Sequence, residues 1–174
     1  MSYDIFVQDL PQDARAIEDI PADFRPAPIG KRSTIIEQIK EVVPTADFSN
    51  PSWGRIRGDD WFIEINIDVK EDCDGFAFHV RGGSTAIGVI AAILERLKLR
   101  ALDPQQGGLF VAGPEAIEEF RKWRAYRDQV VNDKDRSFAD IPQGRLIVNL
   151  TGRATSLPPA FHQRSGRHER RPTD

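Results

Sequence analysis

Apolar and polar residues alternate most regularly over Trp61-Phe62-Ile63-Glu64-Ile65-Asn66-Ile67-Asp68, and again over Gly75-Phe76-Ala77-Phe78-His79-Val80-Arg81-Gly82-Gly83. A side-chain period of two predicts two strands, each with one face for a core and one for solvent. Val69 to Asp74 joins them at a length suited to a hairpin with a longer loop. Placing Ile63, Ile65 and Ile67 on the same core as Phe76, Phe78 and Val80 requires directly opposite residues to carry numbers with an odd sum. Glu64 then stands opposite Ala77, His79 or Arg81, and Asn66 shares that outer face.

Elsewhere the period lengthens to that of a helix. Ile35, Ile36, Ile39, Val42 and Val43 recur at helical spacing until Pro44. A Thr34-to-Glu37 capping-box pattern precedes them, and together these predict a first helix of about 10 to 13 residues. Ser84 or Thr85 caps a second helix whose apolar face carries Ile87, Ile90, Ala91, Ile93, Leu94 and Leu97. A third starts near Pro114, with Glu115, Glu118 and Glu119 at the positive end of its dipole and Lys122, Arg124 and Arg127 further along. Its docking stripe is Ile117, Phe120, Trp123 and Val130. Tyr3-Asp4-Ile5-Phe6-Val7 reads as an opening strand, followed by a loop holding Pro11, Pro21, Pro26 and Pro28. Asp47 to Ser52 is turn chemistry, and Trp53 to Arg57 an edge strand ending at Gly58-Asp59. Leu99 to Pro104 reads as a returning strand, Gln105 to Gly107 as a turn and Gly108 to Val111 as a last short strand. Beyond Asn132 the pattern fades, except at Leu146-Ile147-Val148, which reads as a further edge strand or an apolar piece of tail.

These elements predict an α+β fold: two layers, a mainly antiparallel sheet of about four to six strands with helices packed on one face, and the third helix at one side. The single domain is expected to span residues 1–133, with residues 134–174 a loosely structured or disordered basic tail.

Composition refines this picture. At 174 residues, 40% hydrophobic and 29% charged, the chain can bury a core without staples. Its net charge of −3 divides unevenly, because from Thr151 onward five arginines face only Glu169 and Asp174, making that segment +3 and the rest −6. An acidic body argues against nucleic acid as the main partner and leaves the tail a weak hold on polyanions. The single cysteine, Cys73, lies in a turn between Asp72 and Asp74, can form no internal disulfide and suits a reducing cytoplasm. Without a basic-then-apolar start or an apolar run of about 20 residues, neither export nor membrane spanning is expected.

The leading constellation is Glu64, Asn66, His79 and Arg81 on the polar sheet face, a set able to bind an anionic or hydrogen-bonding ligand. A carboxylate beside His79 would orient its ring and raise its basicity, as general base catalysis requires. The plainer alternative is a solvated face whose cross-strand ion pairs contribute about 0.2–1 kcal/mol each. Gly82, Gly83 and Ser84 enter a helix N-terminus, where free N–H groups favour an anion, although glycines there more often serve tight geometry. Trp53, Asp59, Asp60 and Trp61 gather aromatic and acidic groups that suit a basic protein partner, or else form a lid on the core.

No catalytic, cofactor or metal motif emerges. Gly30-Lys31-Arg32-Ser33 lacks the hydroxyl a phosphate loop needs after its lysine, and Lys70 stands where a calcium loop ending Asp72-Cys73-Asp74-Gly75 needs its first ligand. His79, His162 and His168 lack zinc spacing, and Cys73 among aspartates is expected to have a raised pKa, which suits no nucleophile.

The opening Tyr3-Asp4-Ile5-Phe6-Val7, the strand end His79-Val80-Arg81-Gly82-Gly83 and the segment Leu99-Arg100-Ala101-Leu102-Asp103-Pro104-Gln105 resemble a group of small uncharacterised bacterial proteins. Those open on a Tyr-Asp strand and close with a strand, an Asp-Pro turn and another short strand. The likeness spans residues 3–111 in short blocks, and it implies no activity. In size, charge and α+β make-up the chain also resembles immunity proteins of toxin systems, in which an acidic domain masks a basic toxin. The function expected is therefore a noncatalytic, immunity-like domain that binds another protein. The alternative is a small-molecule or anion binder, or a small enzyme, using Glu64, His79 and Arg81. A homodimer through the polar face or an edge strand is a third arrangement.

Overall fold

The computed structural model describes residues 1–139, with side chains to residue 131. These residues form one compact unit. The remainder of the expected tail, including Leu146-Ile147-Val148, lies outside the described residues.

The main sheet has seven strands: β1 (Tyr3–Gln8), β3 (Asp47–Asn50), β4 (Trp53–Arg57), β5 (Trp61–Ile67), β7 (Gly75–Gly82), β8 (Arg100–Asp103) and β9 (Gly108–Leu109). Their order is β3-β4-β5-β7-β1-β8-β9, and every pairing is antiparallel. Two further short strands, β2 (Gly30–Lys31) and β6 (Asp72–Cys73), pair with each other. Three helices, α1 (Arg32–Val42), α2 (Thr85–Leu97) and α3 (Pro114–Ala139), complete the α+β fold.

The hydrophobic pattern dictates the layering. Ile63, Ile65 and Ile67 of β5 meet Val80, Phe78 and Phe76 of β7 as direct partners, and all six are buried. Every β5–β7 pair sums to an odd number, and Glu64 stands opposite His79. Tyr3, Ile5 and Val7 extend the apolar face across β1. Onto it pack Ile87, Ile90, Ile93 and Leu94 of α2, Ile35 and Ile39 of α1, and Ala116 and Phe120 of α3. The helices thus share one face and leave the other to Asp4, Phe6, Glu64, Asn66, His79 and Arg81.

Three local readings of the sequence are corrected. The sheet exceeds the expected strand count because Asp47–Asn50 is a strand outside β4, so Trp53–Arg57 is not an edge. The turn chemistry is present, with Asp47 accepting from Ser49 N at 2.8 Å and Asn50 from Ser52 N at 2.9 Å. Between them Phe48 drops onto Gly54, where a Cβ would lie 2.4 Å from the ring.

Helix α1 begins at Arg32, so Thr34 lies inside it and forms no capping box. Its cap comes from far along the chain: Arg32 N donates to Glu71 O at 2.8 Å, and Ser33 Oγ donates to the Glu71 carboxylate. Pairing of β2 with β6 brings Glu71 there. The same pairing moves Cys73 from the expected turn into the core, where its thiol is fully buried. Burial pushes that thiol's pKa up, with Asp74 and Asp68 adding to the effect. Helix α3 runs from Pro114 to Ala139.

Candidate functional site

The outer face of the sheet is built in rows by strand register. One row runs Arg55, Glu64, His79, Asp4 across β4, β5, β7 and β1; the next runs Trp53, Asn66, Ala77, Phe6; a third begins Arg57, Phe62, Arg81. Glu64, Asn66, His79 and Arg81 are therefore brought onto one surface.

Their partnerships differ from simple opposition. Although Glu64 faces His79 in register, its carboxylate takes Arg81 Nη1 at 2.5 Å, one position along the same face. His79 instead uses Asp4, with Nδ1 at 2.7 Å from Oδ1. Ser2 Oγ donates to the same oxygen at 2.8 Å. The His79 ring lies against Trp53, centroids 5.8 Å apart. A carboxylate on Nδ1 fixes the ring's orientation and leaves Nε2 to accept or exchange a proton. Next along the face, the Arg57 guanidinium sits 4.8 Å over the Phe62 ring.

Trp53, Asp59, Asp60 and Trp61 do not form one patch. Trp53 starts β4 and points outward beside His79. Asp59 and Asp60 lie in the turn after the opposite end of β4, roughly 13 Å along the strand. Trp61 shares the inward parity of Ile63 and packs against the core, its ring covering Gly58. Antiparallel alternation separates what looks adjacent in the chain.

At the entrance to α2, Gly82 has φ +91° and passes so close to Asp60 O that a Cβ would lie 2.2 Å from it. Gly83 N donates to Asp60 O at 2.8 Å, and the Asp60 carboxylate fills the space where a Gly83 Cβ would stand. Ser84 takes the N-cap position without a side-chain cap bond. The Gly83 N–H is thus already taken by a backbone carbonyl, and the Asp60 carboxylate lies against the same glycine. The two glycines are explained by close approach of the β4–β5 turn.

The outer face also carries a depression of about 550 Å³ bordered by Phe6, Gln8, Asn66, Asp68 and Asp74. Its floor is Ala77 and Gly75, the two smallest outward residues of β7. No residue between Asp9 and Gly30 lines it, so the long N-terminal loop does not cover this hollow. Among the described residues no group of three or more His, Cys, Asp or Glu could hold a metal ion, and no helix is long and apolar enough to cross a membrane.

Two functional-looking groups escaped the sequence pattern. Asp4 is legible only as an outward residue of β1, since its partner lies 75 residues away. Asp103 is the sole buried charged residue described, 1% exposed beneath α3, and it accepts the hydroxyl of Tyr3. It also accepts Gln105 N at 3.1 Å and Gln106 N at 3.3 Å. Burial raises the pKa of Asp103 despite these donors, and burial together with Asp103 pushes the Tyr3 phenol above its ordinary value.

Comparison with family models, curated proteins and solved structures finds no match to this chain. The functional reading therefore rests on its own residues.

Proposed function

We propose that the chain is a noncatalytic binding protein that docks another protein on the outer face of its sheet. The observation that carries this reading is the open face itself. At its centre Asp4 is already paired with His79 and Glu64 with Arg81, while Phe6 is left 42% exposed on a central strand. Preset ion pairs around exposed aromatic rings suit an interface, where aromatic anchors contribute affinity and fixed charges set register. The acidic balance outside the C-terminal segment favours a basic partner, and an immunity-type inhibitor is the specific form proposed. It would act in the cytoplasm.

The test is site-specific cross-linking. A benzophenone amino acid replacing Arg55 on the outer face is expected to trap one discrete protein in cells, and the same group replacing Lys40 on α1 is not. The trapped protein, identified by mass spectrometry and purified, should bind the full chain in isolation. Equal trapping from both positions, or from neither, overturns the reading.

A second reading is supported by the Asp4–His79 pair: a small-molecule site, or a small enzyme, in which His79 serves as base beside Glu64 and Arg81. Thermal stabilisation by a nucleotide, sugar phosphate or metabolite that is lost in the His79→Ala, Arg81→Ala double variant would favour it.

A further inference from the structure

We infer that the depression between Phe6 and Asn66 is the anchor point for a lysine or arginine side chain of the partner protein. This rests on the protein-binding reading and adds the chemistry of the contact.

The hollow arises because β7 presents Gly75 and Ala77 outward before His79 and Arg81. Glycine is demanded at the first of these, since a Cβ on Gly75 would lie 2.6 Å from Val7 O. The flanking strands keep long side chains, so Phe6 and Gln8 form one wall and Asn66 and Asp68 the other. At about 550 Å³ the space exceeds what one side chain needs and admits a long stem together with its neighbours.

The lining is one-signed. Asp68 and Asp74 supply two carboxylates, Gln8 and Asn66 supply amide oxygens, Phe6 supplies a ring face, and no basic residue lines the hollow. Asp74 has no ion pair among the described residues, and Asp68 has only Lys70, at 3.8 Å. The arginines of the same face, Arg55, Arg57 and Arg81, all sit in the rows away from it. The face is therefore polarised, with guanidinium groups at one end, Arg81 paired to Glu64 and Arg57 lying over Phe62, and exposed carboxylates beside an aromatic side chain at the other. An alkyl stem against Ala77 and Phe6 with a cationic head near Asp68 and Asp74 suits both the apolar and the charged parts of the lining, combining stem burial, cation–π contact and ion pairing. An acidic or purely apolar group satisfies only part of it.

The experiment uses the full chain labelled with ¹⁵N and blocked tri-arginine, tri-glutamate and tri-glycine peptides as probes. Tri-arginine should shift the amides of Gly75 and Ala77 and their neighbours on β1 and β5, and the other two should not. An Asp68→Asn, Asp74→Asn variant should bind it roughly fivefold more weakly, as loss of two exposed charge contacts implies. Phe6→Ala should weaken it further, with the unchanged remainder of each spectrum showing that the variant is folded. Shifts that fall elsewhere, or persist in the double variant, overturn the inference. So does spermidine if it gives the same shifts at lower concentration than the peptide, which would assign the hollow to a free amine. Cross-linking from Arg55 separates the two levels. An adduct that survives the Asp68→Asn, Asp74→Asn change removes the charge anchor and leaves the protein-binding reading standing, whereas absence of any adduct removes that reading first.

Discussion

The buried pair Tyr3–Asp103 illustrates how one residue can set a response of the whole protein. Tyr3 and Asp103 are each 1% exposed, and Phe120 and Trp123 of α3 pack edge-on against the Tyr3 ring at 5.0 and 5.2 Å. Burial holds the Asp103 pKa above its unfolded value, so the folded chain retains a proton that the unfolded chain releases. The resulting stability is fully present below the unfolded carboxylate pKa of about 3.9 and is lost as pH rises through the higher folded pKa. Asp103→Asn cannot ionise and lacks this loss. The melting temperature of the wild type relative to Asp103→Asn should therefore be highest near about pH 4 and decline toward about pH 7. A gap that widens with rising pH would mean that the hydrogen bonds from Tyr3, Gln105 and Gln106 outweigh burial and that the anion is the favoured form.

Among the elements, α1 depends most on a distant residue. A helix leaves its first four N–H groups without internal partners, and here Glu71, not Thr34, answers two of them, its backbone carbonyl taking Arg32 N at 2.8 Å and its carboxylate Ser33 N at 3.4 Å. Glu71→Ala keeps the backbone carbonyl that takes Arg32 N and removes only the carboxylate's contacts with Ser33, so it should cost about 0.5–1 kcal/mol in urea unfolding, the low end of the range for loss of an N-terminal cap. Thr34→Ala, inside the helix, should change stability by no more than about 0.5 kcal/mol. Equal losses would restore the cap that the local sequence suggests. The sheet's two edges follow a related economy. β3 has a register irregularity between Asp47 and Asn50, and β9 is only two residues long. Short or irregular edges offer little to an incoming strand, which turns attention from edge pairing to the outer face.

For the molecule as a whole, the two-layer arrangement makes neighbouring residues of one strand behave oppositely. Ile65→Ala opens a cavity beneath α2 and should cost about 2–5 kcal/mol. Glu64→Gln and Asn66→Ala, one residue to either side, should cost no more than about 1 kcal/mol each. Their melting temperatures, measured together, report the layering directly. A large loss at Glu64 or Asn66 would show that the outer face is covered in solution, by a second copy or another segment, and would redirect the search for a partner.

The sequence by itself determined whatever depends on spacing along one element: the strands β5 and β7, their odd-sum register, the apolar stripes of the helices and the gathering of Glu64, Asn66, His79 and Arg81 on one face. Alternation and helical periodicity are local, so residues a few positions apart report them. Tertiary structure alone decided who pairs with whom. It gave His79 to Asp4 and Glu64 to Arg81, set Glu71 at the start of α1, moved Cys73 into the core, separated Trp53 from Trp61 and opened the hollow above Gly75 and Ala77. Most of these depend on which strands or segments become neighbours, a choice made by long-range closure of the chain around a shared core, and within the β5–β7 hairpin Glu64 turns to Arg81 because Asp4 of β1 takes His79.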